Sequence, residues 1–349
     1  MADLARDAPL AEGRPIETVF IGGGTPSLFS PDAIARLMDG IAAQLTLTPE
    51  AEITLEANPG AIERGRFADY RRAGVNRVSL GVQSFDPAML GRLGRIHSAQ
   101  DARAAVKEAQ DAGLDNLNLD LMYALPEQTL MGALTDLEAA LALAPAHVSH
   151  YQLTLEPNTE FAAHPPPLPD SDHAWEMQER CQERLAAAGY AQYEVSAYAR
   201  RGRRCRHNLA YWRFADYLGI GAGAHGKLTG AARGIVRTRK LMLPRGYLAR
   251  AQQQREFGQV ETVAAEQVPF EFMLNALRLI EGVPLATFRA HTGLAPQRLE
   301  PALARARAAG WLETDPTLLC ATLLGQRFLN DVIASFLPCK TVATRTAPP

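Results

Sequence analysis

The sequence predicts an α/β fold, a partial parallel barrel of successive βα units followed by a small helical domain. Three observations predict it. Short β-rich runs alternate with Ala/Leu/Arg-rich helical stretches over roughly the first two thirds of the chain. Several of those helical stretches stop at a glycine just before the next β-rich run, at Gly74, Gly113 and Gly189. Polar residues gather toward the C-terminal ends of the runs, which form the active face of a parallel barrel.

The elements follow in order. Strands are expected at residues 16–21, 52–56, 77–82, 116–122, 147–155 and 192–197, and helices between them at 31–44, 62–73, 99–112, 130–143 and 171–188. After Gly226 the pattern changes, and from Glu266 to Leu337 it is helical, with expected helices at 270–279, 285–292, 297–309 and 323–336. The third leads into Gly310-Trp311-Leu312-Glu313 and Cys320-Ala321-Thr322, short enough for a hairpin, so the appendage reads as winged-helix-like. The expected organisation is a barrel domain over 1–230 with a ligand-motif region near 205–226, a linker over 231–265, a helical domain over 266–337 and a disordered tail over 338–349.

Composition narrows the function. With 36 Lys+Arg against 38 Asp+Glu, the net charge of -2 argues against a nucleic-acid coat. The local exception is the cluster Arg200, Arg201, Arg203, Arg204 and Arg206. Cys181, Cys205, Cys320 and Cys339 are far apart and fit no paired metal-ligand spacing or disulfide framework, which points to a reducing compartment. No apolar run approaches a membrane span, and the acidic, Ala-rich start lacks a signal peptide's layout, so cytoplasm is expected.

Five strand ends and loops carry the chemistry. Gly22-Gly23-Gly24-Thr25-Pro26-Ser27 follows the first strand and lets backbone groups approach a ligand; it also reads as a tight βα turn. Glu56 ends the next strand, where a carboxylate could accept ribose hydroxyls; alone it is equally a capping or loop acid. Gln83, Arg95 and Asp120, with Gln152 inside the fifth strand, are individually weak, but together they favour one shared small-molecule site. The run Gly219-Ile220-Gly221-Ala222-Gly223-Ala224 reads as a close-packed glycine turn rather than a dinucleotide fingerprint, and His225 beside it as structural.

The segment His207-Asn208-Leu209-Ala210-Tyr211-Trp212 is the most informative. It sets an imidazole, an amide and two large aromatics behind the arginine cluster. Arginines suit the propionates of a porphyrin and aromatics its face, so heme is a candidate ligand; read alone, His207 is also an ordinary loop histidine and Trp212 ordinary core.

Taken together, Gly22-Gly23-Gly24-Thr25-Pro26-Ser27, Glu56-Ala57-Asn58-Pro59, Gly81-Val82-Gln83-Ser84-Phe85, Gly94-Arg95-Ile96-His97, Asn118-Leu119-Asp120-Leu121 and Leu125-Pro126 resemble the radical-SAM family of oxygen-independent coproporphyrinogen III oxidases. His207-Asn208 with Tyr211-Trp212, and the loop 219–225, resemble that family's HemW heme-chaperone branch. The resemblance spans about residues 14–337. It implies a partial (β/α)6 radical-SAM barrel with a C-terminal helical domain. It implies S-adenosylmethionine held by Gly23, Gly24, Thr25, Glu56, Gln83, Arg95 and Asp120, and heme near His207. It also implies a [4Fe-4S] cluster on three cysteines of a Cys-x3-Cys-x2-Cys loop after the first strand, and no such loop stands in this sequence. The chain is therefore expected to lack the barrel's first strand and cluster loop, as an N-terminally truncated frame would, with no residue assigned to the cluster and none to catalysis.

The leading expectation is a chaperone that binds heme and hands it to an acceptor protein, with respiratory hemoproteins the class expected and no nucleic acid or transmembrane segment involved. The rival is an oxygen-independent coproporphyrinogen III dehydrogenase working by oxidative decarboxylation. A third is a non-functional fragment, poorly soluble through the open hydrophobic edge of strand 16–21.

Overall fold

A computed structural model describes residues 1–60, 65–230, 234–253 and 255–338. The chain forms two compact units, one of Met1 and residues 12–207, the other of residues 2–11 and 208–349. The division falls at His207, earlier than the boundary expected at 230.

The first unit is built on a seven-stranded sheet. Its strands are β1 (Ile16–Ile21), β2 (Leu47–Ala57), β3 (Arg77–Gln83), β4 (Leu117–Tyr123), β5 (His147–Gln152), β6 (Ala191–Glu194) and β7 (Ala197–Ala199), in the order β1-β2-β3-β4-β5-β7-β6. Strands β1 to β5 run parallel; β7 pairs antiparallel with β5, and β6 antiparallel with β7. Among the described residues β1 and β6 stand at the two edges of the sheet, which is an open part-barrel. The single strand expected at 192–197 is instead a tight hairpin, because Glu194 Oε1 accepts from both the N–H and the hydroxyl of Ser196 and turns the chain there. β5 stops at Gln152, short of the expected 155. The helix expected at 62–73 spans Phe67–Arg72; residues 61–64 lie outside the described chain.

The two faces of this sheet differ in chemistry, which explains why the strands read as short and mixed. Ile53, Leu55, Val78, Leu80, Val82, Leu117, Leu119, Leu121 and Val148 form one buried cluster with residues such as Ile34, Val106, Leu137 and Leu185 of the covering helices. Those helices are Pro31–Ala42, Ala99–Asp111, Leu130–Leu141 and Ser171–Ala187, each started by a side-chain cap from Ser30, Ser98, Thr129 or Asp170. The alternate residues Glu52, Thr54 and Glu56, Arg77, Ser79 and Gln83, Asn118 and Asp120, and Ser149 and Tyr151 face the other way. A parallel strand buried on two apolar faces would be continuously hydrophobic. Here the concave face is polar instead, and that face makes the site.

The second unit contains an antiparallel sheet in the order β10-β9-β8, with β8 (His225–Gly230), β9 (Gly234–Lys240) and β10 (Gly258–Thr262). Two of these strands, and the helix Pro244–Gln252 between them, occupy the stretch 231–265 expected as a linker. Lys240 within it is buried, because Asp3 and Asp7 accept its ammonium at 2.6 and 2.7 Å. Gly219 packs so tightly that a Cβ there would stand 2.0 Å from the His225 carbonyl oxygen, as expected of a close-packed glycine turn. Gly219→Ala is therefore expected to lower stability by about 3 kcal/mol, read as a lower urea midpoint.

The expected C-terminal hairpin is present as the Leu312–Ala321 bridge, with β11 (Val283–Pro284) and β12 (Leu318–Leu319) beside it among short helices. The helix expected at 323–336 is broken at Phe328 into Leu323–Arg327 and Leu329–Ala334. Among the described residues no helix is long and apolar enough to cross a membrane. Residues 339–349, most of the expected tail and Cys339 with it, lie outside the described chain.

Burial also sets a pH response. His150 is buried on the helix side, stacked on Tyr123 at 4.7 Å, and burial pushes its imidazole down to about 4 from an ordinary 6.5. Below pH 6.5 the unfolded chain takes up a proton that the folded chain refuses, so this residue makes stability fall as pH falls toward 4. Between pH 7 and pH 5 it contributes a loss of about 2 kcal/mol, which urea melts should show as a smaller drop in His150→Phe.

Candidate functional site

The polar strand ends of the first unit enclose a cavity of about 290 Å³ lined by Gly24, Thr25, Glu56, Asn58, Ser79, Gly81, Gln83, Arg95, Asp120 and Tyr151, together with Pro26 and Ala57. Each strand contributes in turn. Past β1, Gly23 and Gly24 take positive φ values of 80° and 63°, a turn that costs any other residue strain, and the Gly23 N–H donates to Glu56 Oε2 at 3.0 Å. Gly22 is constrained by space instead, since a Cβ would meet the Phe20 ring at 2.7 Å. At the end of β2, Asn58 Nδ2 reaches Thr25 Oγ1 at 3.4 Å, tying the two strand ends together.

At the end of β3 the pairing with β4 shifts register between Leu80 and Gln83, and Gln83 itself adopts φ 67°. That bulge re-aims its side chain, and the Tyr151 hydroxyl donates to Gln83 Oε1 at 2.7 Å. Asp120 on β4 is held from below: Ser79 Oγ donates to one oxygen at 3.1 Å and Asn118 Nδ2 to the other at 2.8 Å. Asn118 is fixed in turn by His147 Nδ1 at 2.6 Å, and His147 Nε2 by Tyr193 at 2.8 Å. Burial raises the Asp120 carboxyl above its ordinary range against those hydrogen bonds. It raises Glu56 likewise, opposed by the Gly23 N–H and reinforced by the nearby Asp120 charge. Arg95 is exposed at the rim and brings the complementary charge.

His207 lies in the same unit but outside this cavity, against the start of β1. Its Nδ1 is 3.0 Å from Thr18 Oγ1, and its ring stacks on Phe20 at 4.8 Å. Glu52 binds the chain leading into it, accepting from the Arg206 and His207 N–H groups at 3.1 Å each and from the Cys205 thiol at 3.4 Å. Burial lowers the imidazole pKa, with Glu52 raising it and Arg77 lowering it further. The ring is therefore neutral near pH 7, and its Nε2 has no hydrogen-bond partner among the described residues.

Residues 1–140 match the Radical SAM superfamily, and residues 263–328 match the HemN C-terminal domain. The heme chaperone HemW of Escherichia coli is 50% identical over 335 residues, covering 96% of this chain and 88% of that protein. The heme chaperone HemW of Haemophilus influenzae is 46% identical over 336 residues, covering 96% and 87%. The chain belongs to the HemW family. Among solved structures, coproporphyrinogen III oxidase (HemN) from Escherichia coli, a radical SAM enzyme, superposes with a TM-score of 0.79 at 20% identity, covering 96% of this chain and 81% of that one; this likeness shows the shared fold.

In this HemW-family chain the structure brings Gly24, Thr25, Glu56, Gln83, Arg95 and Asp120 to one cavity, with Gly23 behind it holding Glu56. Gln152 is not there; Tyr151 is, because strand alternation turns 151 inward with Ser149 and turns 152 away. Asn58 and Gly81 stood in the motifs around Glu56 and Gln83 without a role of their own, while Ser79 and Tyr151 were missed; the signal for Ser79 was its even spacing from Gln83 along one strand. The arginine cluster is less available than the sequence suggests. Arg200 bonds the Tyr190 hydroxyl, Arg204 lies over Tyr193 and Arg206 bonds the Glu50 carbonyl, which leaves Arg201 and Arg203 at the surface. In the second unit Tyr211 packs edge-on to Trp212 at 5.3 Å, Arg278 covers Trp212 at 4.4 Å, and Phe214 is core against Phe272.

The cavity fits S-adenosylmethionine in kind: carboxylates and amides for hydroxyls and amines, and a side-chain-free loop for close approach. The described residues do not fit the iron–sulfur cluster. Cys181 is buried in the core with its thiol pushed up to about 12, Cys205 bonds Glu52, and Cys320 bonds the Ile280 carbonyl. Among the described residues no group of three His, Cys, Asp or Glu could hold a metal ion.

Proposed function

We propose that this chain is a heme chaperone that binds heme at His207 and passes it to an acceptor protein, in the cytoplasm and without acting as an enzyme itself. The observation that carries the reading is the identity to HemW heme chaperones over nearly the whole chain. The His207 geometry supports it. A histidine that ligates iron through Nε2 must be neutral there and is oriented by a hydrogen bond at its other nitrogen. Thr18 provides that bond, Phe20 fixes the ring plane, and burial keeps the imidazole unprotonated.

The cavity of the first unit is proposed to hold S-adenosylmethionine. Glu56 and Asp120 would accept its hydroxyl or amine donors, Gly24 and Thr25 would offer backbone groups, and Arg95 and Gln83 would close the rim. When bound beside a reduced cluster, S-adenosylmethionine supplies radical chemistry. The described residues provide no cluster ligands, so no such step is assigned to them. A coproporphyrinogen dehydrogenase remains the second reading, favoured by the HemN-like fold alone.

Heme titration tests the proposal. One heme per chain with a shifted, sharpened Soret band is expected. A spectrum identical to that of free heme at every ratio overturns it.

A further inference from the structure

Three buried polar atoms at neighbouring positions of β2, β3 and the residue before β4 have no partner among the described residues. Arg77 opens β3 at 2% exposure, yet its Nε–H donates to no acceptor among the described residues, and its charge acts on the Asp120 carboxyl from beyond ion-pair distance. Its register partner on β2 is Thr54, fully buried, whose Oγ1 is equally unpartnered. On the other side Val78 pairs with Leu117 and bonds the Asn116 carbonyl, which sets Asn116 beside Arg77 with a buried, unpartnered Oδ1. Alternation turns Thr54 inward with Glu52 and Glu56, and Arg77 with Ser79, while Asn116 immediately precedes β4. Buried donors and acceptors are kept in native proteins when something satisfies them.

We propose that Thr54, Arg77 and Asn116 form a binding site for a small carboxylate anion of formate or acetate size. The guanidinium fork matches a carboxylate bidentately, and the Thr54 hydroxyl adds a donor. Asn116 completes the row once its amide is turned to present the NH2 group, an orientation that rests on its hydrogen-bond partners. Of the protein's own carboxylates, Glu52 is hydrogen-bonded by Cys205, Arg206 and His207, and Asp120 by Ser79 and Asn118, with the Arg77 charge also acting on Asp120. Next to the row Asn118 Nδ2 donates to Ser79 Oγ at 2.7 Å, and Phe20 is the register neighbour of Thr54 and stacks on the His207 ring. The site goes beyond the heme reading and stands whether or not His207 binds heme.

The test compares thermal melts of the full chain in sodium formate and in sodium chloride at equal ionic strength, for wild type, Arg77→Gln and the near-isosteric Thr54→Val. Formate at ten times its Kd is expected to raise the wild-type Tm by about 2 °C over chloride, with the difference reduced or lost in Thr54→Val. Crystals soaked in formate are expected to show planar density against the Arg77 fork. A Tm indifferent to the anion, with single water-sized peaks in the row, overturns the proposal. So does a formate effect retained in full by Thr54→Val and by Arg77→Gln. If Arg77→Gln does not fold, Thr54→Val and the soaked crystal decide the question.

Discussion

Replacing His207 with alanine is expected to abolish the Soret shift and weaken heme binding about 100-fold, while the chain still folds. The ring is half-buried and its removal leaves Glu52 bonded by the Cys205 thiol and the Arg206 and His207 N–H groups, so the local chain keeps its anchor. Thr18→Val is the sharper companion. It keeps the shape and deletes the hydroxyl that holds Nδ1, and loss of such an orienting partner costs about tenfold in affinity. Circular dichroism melts separate loss of ligation from loss of fold. Unchanged heme affinity in both variants, with intact melts, would remove His207 from the account and leave the chaperone function to another residue.

Asp120→Asn should weaken S-adenosylmethionine binding about 30-fold, the worth of one hydrogen bond to a charged acceptor at about 2 kcal/mol. Glu56→Gln should do nearly the same and in addition loosen the glycine loop, whose Gly23 N–H it accepts. Calorimetric titration measures both. The pH dependence has two signs that should not be confused. Both carboxyls have raised pKa values in the folded chain, so ligand affinity, which needs the ionised acceptors, should fall as pH drops and should begin to fall closer to neutrality than an ordinary carboxylate would give. Stability runs the other way for these two groups. The unfolded chain loses its protons first, so their contribution falls as pH rises from the ordinary carboxylate range through the raised folded values. In Glu56→Gln that part of the slope should vanish.

Much of this was legible in the residues, and what was not has definite causes. The glycine loop, Glu56, Gln83, Arg95 and Asp120 could be read because each stands at a strand end, where a parallel sheet gathers its functional groups. The parity of the fifth strand could not be read. Gln152 and Tyr151 are both polar-tipped, and only the register with β4 shows which faces the cavity. Glu52 and Arg77 were invisible as site residues because they lie one or two steps back along strands whose ends drew the attention. Each sits two-residue steps from Glu56 or Ser79, so the same alternation that marks the cavity also marks them. The stretch 231–265, expected as a linker, carries strands and a helix, and Lys240 is buried in it. Its two acidic partners are near the start of the chain, Asp3 and Asp7, more than two hundred residues away in sequence. The arginine cluster was over-read for the converse reason: Tyr190, Tyr193 and the Glu50 carbonyl, all distant or unremarkable in sequence, take up three of its five members.

The central claim is transfer, since many proteins bind heme and few hand it on. The most direct measurement mixes the heme-loaded chain with increasing concentrations of a heme-free respiratory hemoprotein and follows the acceptor's spectrum by stopped flow. The rate of spontaneous release to a heme scavenger is measured alongside. A chaperone predicts transfer that speeds up with acceptor concentration and exceeds the release rate, and that is lost in His207→Ala. Transfer at the release rate, whatever the acceptor concentration, would contradict it.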